Sequence, residues 1–258
     1  MAVRALIPYL QAGQEYEKLD QICVKEVETP TAERNTKETA SDFCPIAVDF
    51  HMLKKINPDI VGWIYGEGTG ISYPVVQGSN NEFYLSHMPD QTYNQSGSIF
   101  MDCRNTDRSG SSNEILYGHH MKNGSMFAHL DKFKSESFWS EHKTIAFNTL
   151  TDRQKYEIVA VFRTVVYTDS PDAFKYYRFV DAGNANEFDC FIAKCKELSF
   201  YDTGVTAAYG DKLITLSTCE YSRNNSRLVV VAKRIVEGGD ADAAQTYAEA
   251  AAESQRPD

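Results

Sequence analysis

The chain has 258 residues, of which 42% are hydrophobic and 24% are charged, and this balance is ordinary for a soluble globular protein. It carries 26 Lys and Arg against 36 Asp and Glu, so its net charge is −10, and we find no basic patch. Nucleic acid is therefore not an expected partner. The longest aliphatic run near the C-terminus, residues 228–232, is far shorter than the roughly 18 residues that a membrane span needs.

Composition divides the chain into three parts. Residues 4–27 carry apolar groups at helical spacing and residues 28–42 contain no large apolar residue, so 1–44 are expected to form a helix and a linker. Residues 45–236 contain the periodic segments of the main domain. The tail, 237–258, is rich in Ala and Glu, carries half of the net charge and is expected to be disordered.

The main domain is predicted to be mainly β, because short runs of β-branched and aromatic residues alternate with turn signals. Eight strand candidates lie at 63–78 (two strands), 96–102, 113–118, 144–150, 155–167, 211–219 and 227–235. Helical patterns occur at 48–56, 125–139 and 186–198. This arrangement predicts a β-barrel or sandwich with helices at its start and one helix inserted before the last strands.

The cysteines do not form a metal-binding pattern, because no two of them make a CxxC pair. They are Cys23, Cys44, Cys103, Cys190, Cys195 and Cys219. Cys190 and Cys195 fall in the predicted helix 186–198, where we expect them to pack in the core. Cys219 differs, because it ends a predicted strand and is followed by a polar loop.

Cys219 and Arg227 form the first candidate pair for chemistry. Arg227 opens the strand that follows the polar loop, so the two residues face each other if the strands pair as a hairpin. Facing Cβ atoms then lie about 4.5–5.5 Å apart. A cation at that distance favours the reactive thiolate. Because a guanidinium does not deprotonate in proteins, Arg227 suits a carbonyl oxygen or a developing oxyanion rather than the role of base.

A cysteine nucleophile also needs a group that protonates the leaving amine, and histidine is the usual choice. His119 and His120 end a predicted strand in a polar turn, where catalytic groups often lie. The other histidines lie in helical stretches or in a loop: His51, His87, His129 and His142. From these residues alone, a non-catalytic β-domain with a buried cysteine remains an alternative to a Cys–His enzyme.

Three segments closely resemble the class B sortases: LYGHHMKNGSMFAHL (116–130), LITLSTCEYSRNNSRLVVVAKRI (213–235) and INPDIVGWIYGEGTGISYPVVQG (56–78). The helix 186–198 also lies where class B members insert a helix between strands six and seven. The resemblance covers roughly 45–236. It implies an eight-stranded sortase-type β-barrel with N-terminal helices and an inserted helix before the last strands.

The resemblance also implies a cysteine transpeptidase. Such an enzyme cleaves a C-terminal sorting signal, NPxTN-like or xPxTG-like, after its Thr and holds the protein as a thioacyl intermediate. By motif, Cys219 is implied as the nucleophile, His119 as general acid and base, and Arg227 as the residue that positions the carbonyl. The family pattern favours His119, and the sequence leaves His120 open as its alternative.

The remaining implied site residues flank the thiol. Ser217 and Thr218 would line the site, and the backbone N–H of Glu220 would be the second oxyanion donor. The implied chemistry requires no metal and no cofactor. A papain-type hydrolase is disfavoured, because His precedes Cys in this chain and no papain-like cysteine segment lies near the N-terminus.

The implied partners are surface proteins that carry sorting signals and an amine acceptor, on a peptidoglycan precursor or on a pilin lysine. The implied location is the outer face of a Gram-positive-type membrane. We expect an N-terminal anchor in the native protein and find none in these 258 residues. A pilin-polymerising sortase and a non-catalytic surface domain are the alternatives.

Overall fold

The computed structural model describes residues 2–26, 46–106, 111–166, 173–220 and 225–236, with 2–11, 26, 219 and 220 described by their backbone alone. The predicted linker 28–42 and tail 237–258 therefore lie outside the described residues. Within these limits the chain forms a closed barrel with helices packed on its wall.

The N-terminal segment forms a helix, a small sheet and a second helix. These are α1 (Ala2–Cys23), β1 (Val24–Glu26), β2 (Ile46–Val48) and α2 (Phe50–Ile56). Helix α1 buries Tyr16, Leu19 and Cys23, whose spacing places them on one face. It ends four residues before the predicted end, because the chain turns into β1, which pairs antiparallel with β2. We did not predict this pair of three-residue strands, which are too short to show alternation.

Helix α1 is long, but no helix in the described part of the chain is both long enough and apolar enough to cross a membrane.

Eight strands close the barrel in the order β10-β8-β7-β3-β4-β5-β6-β9. They are β3 (Ile60–Gly66), β4 (Ile71–Val76), β5 (Ile99–Met101), β6 (Asn113–Gly118), β7 (Thr144–Thr149), β8 (Arg153–Val165), β9 (Leu213–Glu220) and β10 (Ser226–Arg234). The predicted eight-stranded barrel is thus confirmed. Neighbouring strands pair antiparallel except β4 with β5 and β6 with β9, which are parallel.

The unbroken aliphatic run of β10 is buried on both faces. Leu228 and Val230 pack among the residues that fill the barrel, while Val229 and Val231 pack outside it in a second apolar cluster. Because neither face meets water, the strand has no polar alternation. This confirms the interpretation of the run as a strand buried on both sides.

Helix α3 (Glu136–Glu141) packs its Trp139 with the residues that fill the barrel. Helix α4 (Ala185–Leu198), which lies between β8 and β9 in the chain as predicted, covers the outer cluster. The Asn184 side chain caps α4 by accepting a hydrogen bond from the backbone N–H of Glu187, 3.0 Å away. Cys195 is fully buried, as predicted. The prediction for Cys190 is wrong, because this residue is exposed.

Helical geometry explains the different positions of the two cysteines. Successive residues turn by about 100°, so Cys190 lies some 200° from Phe188, on the solvent side, while Phe188, Ile192 and Cys195 share the buried face. Residues 125–139, predicted as one or two short helices, form the 3-10 helix Phe127–Lys134 followed by α3.

Candidate active site

The candidate site lies where three strand ends meet at one end of the barrel. Parallel pairing of β6 with β9 places Gly118 opposite Thr218, and antiparallel pairing of β9 with β10 places Cys219 opposite Arg227. His119 follows Gly118 directly. The predicted hairpin of the last two strands is therefore observed, with the register that brings Cys219 and Arg227 to facing positions.

A groove of about 410 Å³ opens at these strand ends. Four of the predicted site residues line it: His119, Ser217, Thr218 and Arg227. Residues of the loop after β4, of β5, of β6 and of the segment before α4 complete the lining: Asn81, Leu85, Phe100, Asp102, Arg104, Tyr117, Gly118, Val166, Tyr176 and Tyr177. The predicted residues thus share one concave surface, which is the usual setting of a binding site.

His119 is held by two backbone contacts. Its Nε2 lies 2.7 Å from the carbonyl oxygen of Leu85, and its own carbonyl accepts a hydrogen bond from the N–H of Phe127 at 3.0 Å. Because a carbonyl oxygen only accepts, Nε2 carries the hydrogen in this arrangement. The other ring nitrogen, Nδ1, is then the one that can exchange a proton with a thiol or an amine.

The turn into His119 depends on close packing at Gly118. A Cβ at this position would lie 2.4 Å from Ile99 Cδ1 and 2.8 Å from the Phe127 ring. Glycine therefore lets the end of β6 approach the 3-10 helix Phe127–Lys134. This close approach fixes the backbone position of His119, the next residue.

Arg227 is half-buried in the groove wall and donates from one guanidinium nitrogen to the carbonyl of Ser226 at 3.0 Å. Its position opposite Cys219 in the ladder matches the geometry that the sequence predicted. Glu220 closes β9 opposite Ser226. A cation that faces a cysteine position in this way can stabilise a thiolate.

Ser217 and Thr218 have different surroundings. The Ser217 hydroxyl lies 2.5 Å from the hydroxyl of Tyr176, a buried residue that precedes α4. Thr218 is also buried, and no described residue hydrogen-bonds to its Oγ1. Position 219 shares the face of β9 that Ser217 occupies, because positions two apart in a strand lie on one face.

A second guanidinium in the groove was missed by the sequence analysis. Asp102 is fully buried and accepts two hydrogen bonds from the Arg104 guanidinium, Nε to Oδ1 at 2.8 Å and a terminal nitrogen to Oδ2 at 2.7 Å. Tyr117 donates its hydroxyl to the same carboxylate at 2.9 Å. Such a two-pronged contact fixes the guanidinium plane.

The protonation states of Asp102, Arg104 and Tyr117 follow from the contacts among them. Burial acts to raise the pKa of Asp102, but the hydrogen bonds from Arg104 and Tyr117 outweigh it and hold the pKa below its ordinary value. Burial and the neighbouring Asp102 carboxylate raise the pKa of Tyr117. Arg104, whose side chain is 47% exposed, therefore presents a fixed positive charge to the groove.

His120 points to a different part of the molecule and is not among the residues that line the groove. Its Nε2 donates to Oδ2 of Asp131 at 2.8 Å, on the 3-10 helix Phe127–Lys134. The structure therefore brings His119, and not His120, together with Arg227 and the end of β9. Among the described residues, no group of three or more His, Cys, Asp or Glu side chains is placed to hold a metal ion.

A model of the sortase domain matches residues 64–235 of this chain. Sortase B of Staphylococcus aureus is 37% identical over 188 residues, which are 72% of this chain and 74% of that protein. A crystal structure of Bacillus anthracis sortase B in complex with AAEK1 aligns with a TM-score of 0.72 and 32% identity, over 89% of this chain and 99% of that chain.

A Staphylococcus aureus sortase B–substrate complex aligns with a TM-score of 0.70 and 32% identity, over 90% of this chain and all of that one. The matched domain includes every residue that lines the groove and all of the barrel except the first four residues of β3. The chain therefore belongs to the sortase family, as a transpeptidase of class B.

Proposed function

We propose that this sortase cleaves a C-terminal sorting signal, NPxTN-like or xPxTG-like, after its Thr and transfers the protein to an amine of a cell-wall precursor. The observation that supports the proposal is the register of β9 and β10, which pairs position 219 with Arg227, together with the groove that His119 and Arg227 line. Similarity to sortase B of Staphylococcus aureus supports a place on the outer face of a Gram-positive-type membrane.

The first half-reaction forms the thioacyl enzyme. The Cys219 thiolate attacks the carbonyl carbon of the signal's Thr, and the carbonyl oxygen becomes an oxyanion near Arg227 and the N–H of Glu220. The intermediate collapses, the C–N bond breaks, and the leaving amine takes a proton from the His119 imidazolium. Hydrogen bonds aimed at the developing charge lower the barrier of such a step.

The second half-reaction reverses these roles. An acceptor amine attacks the thioester carbon while neutral His119 removes a proton from it. The C–S bond breaks, the Cys219 thiolate leaves, and a new amide joins the surface protein to the acceptor. When no amine is present, water takes its place and the products are those of hydrolysis. The proposed roles use no metal and no cofactor.

The rest of the groove is suited to hold an extended peptide. Arg104, fixed by Asp102, presents donors to the peptide's carbonyl and amide oxygens, while Leu85 and Phe100 offer apolar surface. The hydroxyl pair of Ser217 and Tyr176 lines the wall next to position 219. Positioning by such contacts supplies a large part of the rate in reactions of this type.

Cleavage of quenched fluorescent peptides tests the proposal. A panel of NPxTN-like and xPxTG-like signals is incubated with the enzyme, with and without triglycine. We expect cleavage of one signal class, diversion to an amide product by triglycine, and no turnover by Cys219→Ala. Cys190→Ala is the matched control, because that thiol is exposed on α4 and is not among the residues that line the groove.

The acceptor is identified by a competition arm. A peptidoglycan stem peptide and a lysine-bearing pilin peptide are offered together, and preference for the lysine peptide would assign pilus assembly instead of cell-wall anchoring. Turnover by Cys219→Ala equal to the wild type would refute the cysteine mechanism. A protein that cleaves no peptide and does not react at Cys219 with a thiosulfonate would be a non-catalytic surface domain.

A further inference from the structure

We propose that His120 and Asp131 form a positioning pair that holds the backbone of His119 in its catalytic orientation. The inference rests on the proposed role of His119 and adds two residues that do not touch the substrate. It assigns a function to the second histidine of the segment, which the sequence left open.

The pair is a specific contact between two structural elements. His120 Nε2 donates to Oδ2 of Asp131 at 2.8 Å, and Lys134 Nζ lies 2.9 Å from the other carboxylate oxygen. The His120 side chain is only 18% exposed, so water competes weakly for this hydrogen bond. The contact ties the end of β6 to the 3-10 helix Phe127–Lys134.

Asp131 is suited to be the anchor because it remains ionised. Partial burial acts to raise its pKa, but the hydrogen bonds from Lys134 and His120 outweigh burial and lower it. A carboxylate that accepts from two donors is stabilised in its charged form, and charge-assisted hydrogen bonds are about twice as strong as neutral ones.

The turn between these elements needs such an anchor. Residues 119–127 fold back on themselves, since the Phe127 N–H donates to the His119 carbonyl and His120 forms an isolated β-bridge with Met126. Met126 has a φ of 59°, which is costly for a residue other than glycine, and its N–H donates to the Tyr73 hydroxyl. Contacts around the turn must compensate for this strain.

The consequence for catalysis follows from the position of His119 directly before His120. Loss of the His120–Asp131 hydrogen bond lets the backbone of residues 119 and 120 rotate, and the imidazole of His119 then spends less time in contact with Leu85 O and with the reacting atoms. Misplacement of a catalytic group by about 1 Å can cost on the order of 100-fold in rate. Substrate affinity is unaffected, because neither residue of the pair lines the groove.

Variants at both positions test the pair in the 258-residue chain. We expect His120→Leu and Asp131→Ala each to lower kcat about 10-fold or more while KM changes less than about twofold. His120→Gln, which retains a donor, should recover most of the rate, and the double variant should be no slower than either single variant. Lys194→Gln, which breaks an exposed ion pair on α4, is the matched control and should keep the wild-type rate.

A second readout separates this inference from the proposed reaction. The side-chain resonance of His119, assigned with His119→Gln, is followed by NMR in each variant, together with the thermal midpoint. We expect this resonance to move or broaden in His120→Leu and Asp131→Ala at unchanged fold. If it is unchanged in both variants, the positioning role is overturned, whether or not the enzyme turns over a peptide.

Two further results would also overturn the inference. One is full kcat in both variants. The other is a parallel rise in KM and fall in thermal midpoint, which would indicate a general structural role. A wild-type protein that cleaves no peptide contradicts the proposed function instead, and the His119 resonance then decides the positioning role alone.

Discussion

At the scale of single residues, Asp102 is the buried charge on which the groove depends. Asp102→Asn keeps the shape but removes the charge that Arg104 and Tyr117 contact. We predict a loss of about 2 kcal/mol in the free energy of unfolding at pH 7, below the 3–5 kcal/mol of a fully buried pair, because Arg104 is half exposed. Urea unfolding measures the difference.

The pH dependence of this difference has a defined sign. The folded-state pKa of Asp102 is lower than its ordinary value of 3.8, so its contribution is present above that value and is lost as the pH falls through the folded pKa. The stabilities of wild type and Asp102→Asn should therefore converge below about pH 4. A difference that stays constant from pH 7 to pH 3 would contradict the assignment.

The two cysteines of α4 form a natural pair for comparison. Cys195 is fully buried and burial raises the pKa of its thiol, whereas Cys190 is exposed. Cys195→Ser buries a hydroxyl in an apolar cluster, so we predict a loss of about 1–3 kcal/mol. Cys190→Ser should stay within about 0.5 kcal/mol of the wild type. Equal effects of the two changes would show that this helix face is assigned wrongly.

At the scale of elements, the loop between β4 and β5 sets the position of His119. Gly97 has a φ of +57°, and a Cβ there would lie 2.6 Å from the carbonyl oxygens of Tyr84 and Leu85. Gly97→Ala must therefore displace the backbone that holds the His119 ring. We predict a fall in turnover of about 10-fold or more, measured with the peptide that the enzyme cleaves.

Gly204→Ala is the control for this change. Gly204 has a φ of +70° but nothing within 4 Å of its added Cβ, so it carries the same backbone strain without the close contact. It should unfold more easily than the wild type yet keep its rate. Wild-type turnover by Gly97→Ala would show that the Leu85 carbonyl does not position His119.

The strands and helices were predictable to different degrees. The barrel strands from β3 to β10 could be placed because β-rich or continuous apolar runs end at clear turn signals. The sheet of β1 and β2 could not, since three residues carry no period. Cys190 was misplaced because a helix was assigned to 186–198 without resolving which residues face its buried side.

At the scale of the whole molecule, the proximity of candidate site residues was predictable where they lie on strands that are consecutive in the sequence. Cys219 and Arg227 are eight residues apart in the sequence, and hairpin pairing alone brings them together. The contacts of Arg104 were not predictable from the sequence. It also reaches the Tyr177 carbonyl, 73 residues away, and its partner Asp102 accepts from Tyr117, which lies on the neighbouring strand β6. Closure of the barrel brings these residues together, and no local sequence pattern predicts such contacts.

The mass of the enzyme during turnover tests acyl transfer through Cys219. The enzyme is quenched in acid while it cleaves a peptide without amine, and its intact mass and peptide map are recorded. We predict an added acyl fragment on Cys219 that ends in the signal's Thr and disappears when triglycine is added. Continued product formation by Cys219→Ala, or an acyl group on another residue, would contradict it.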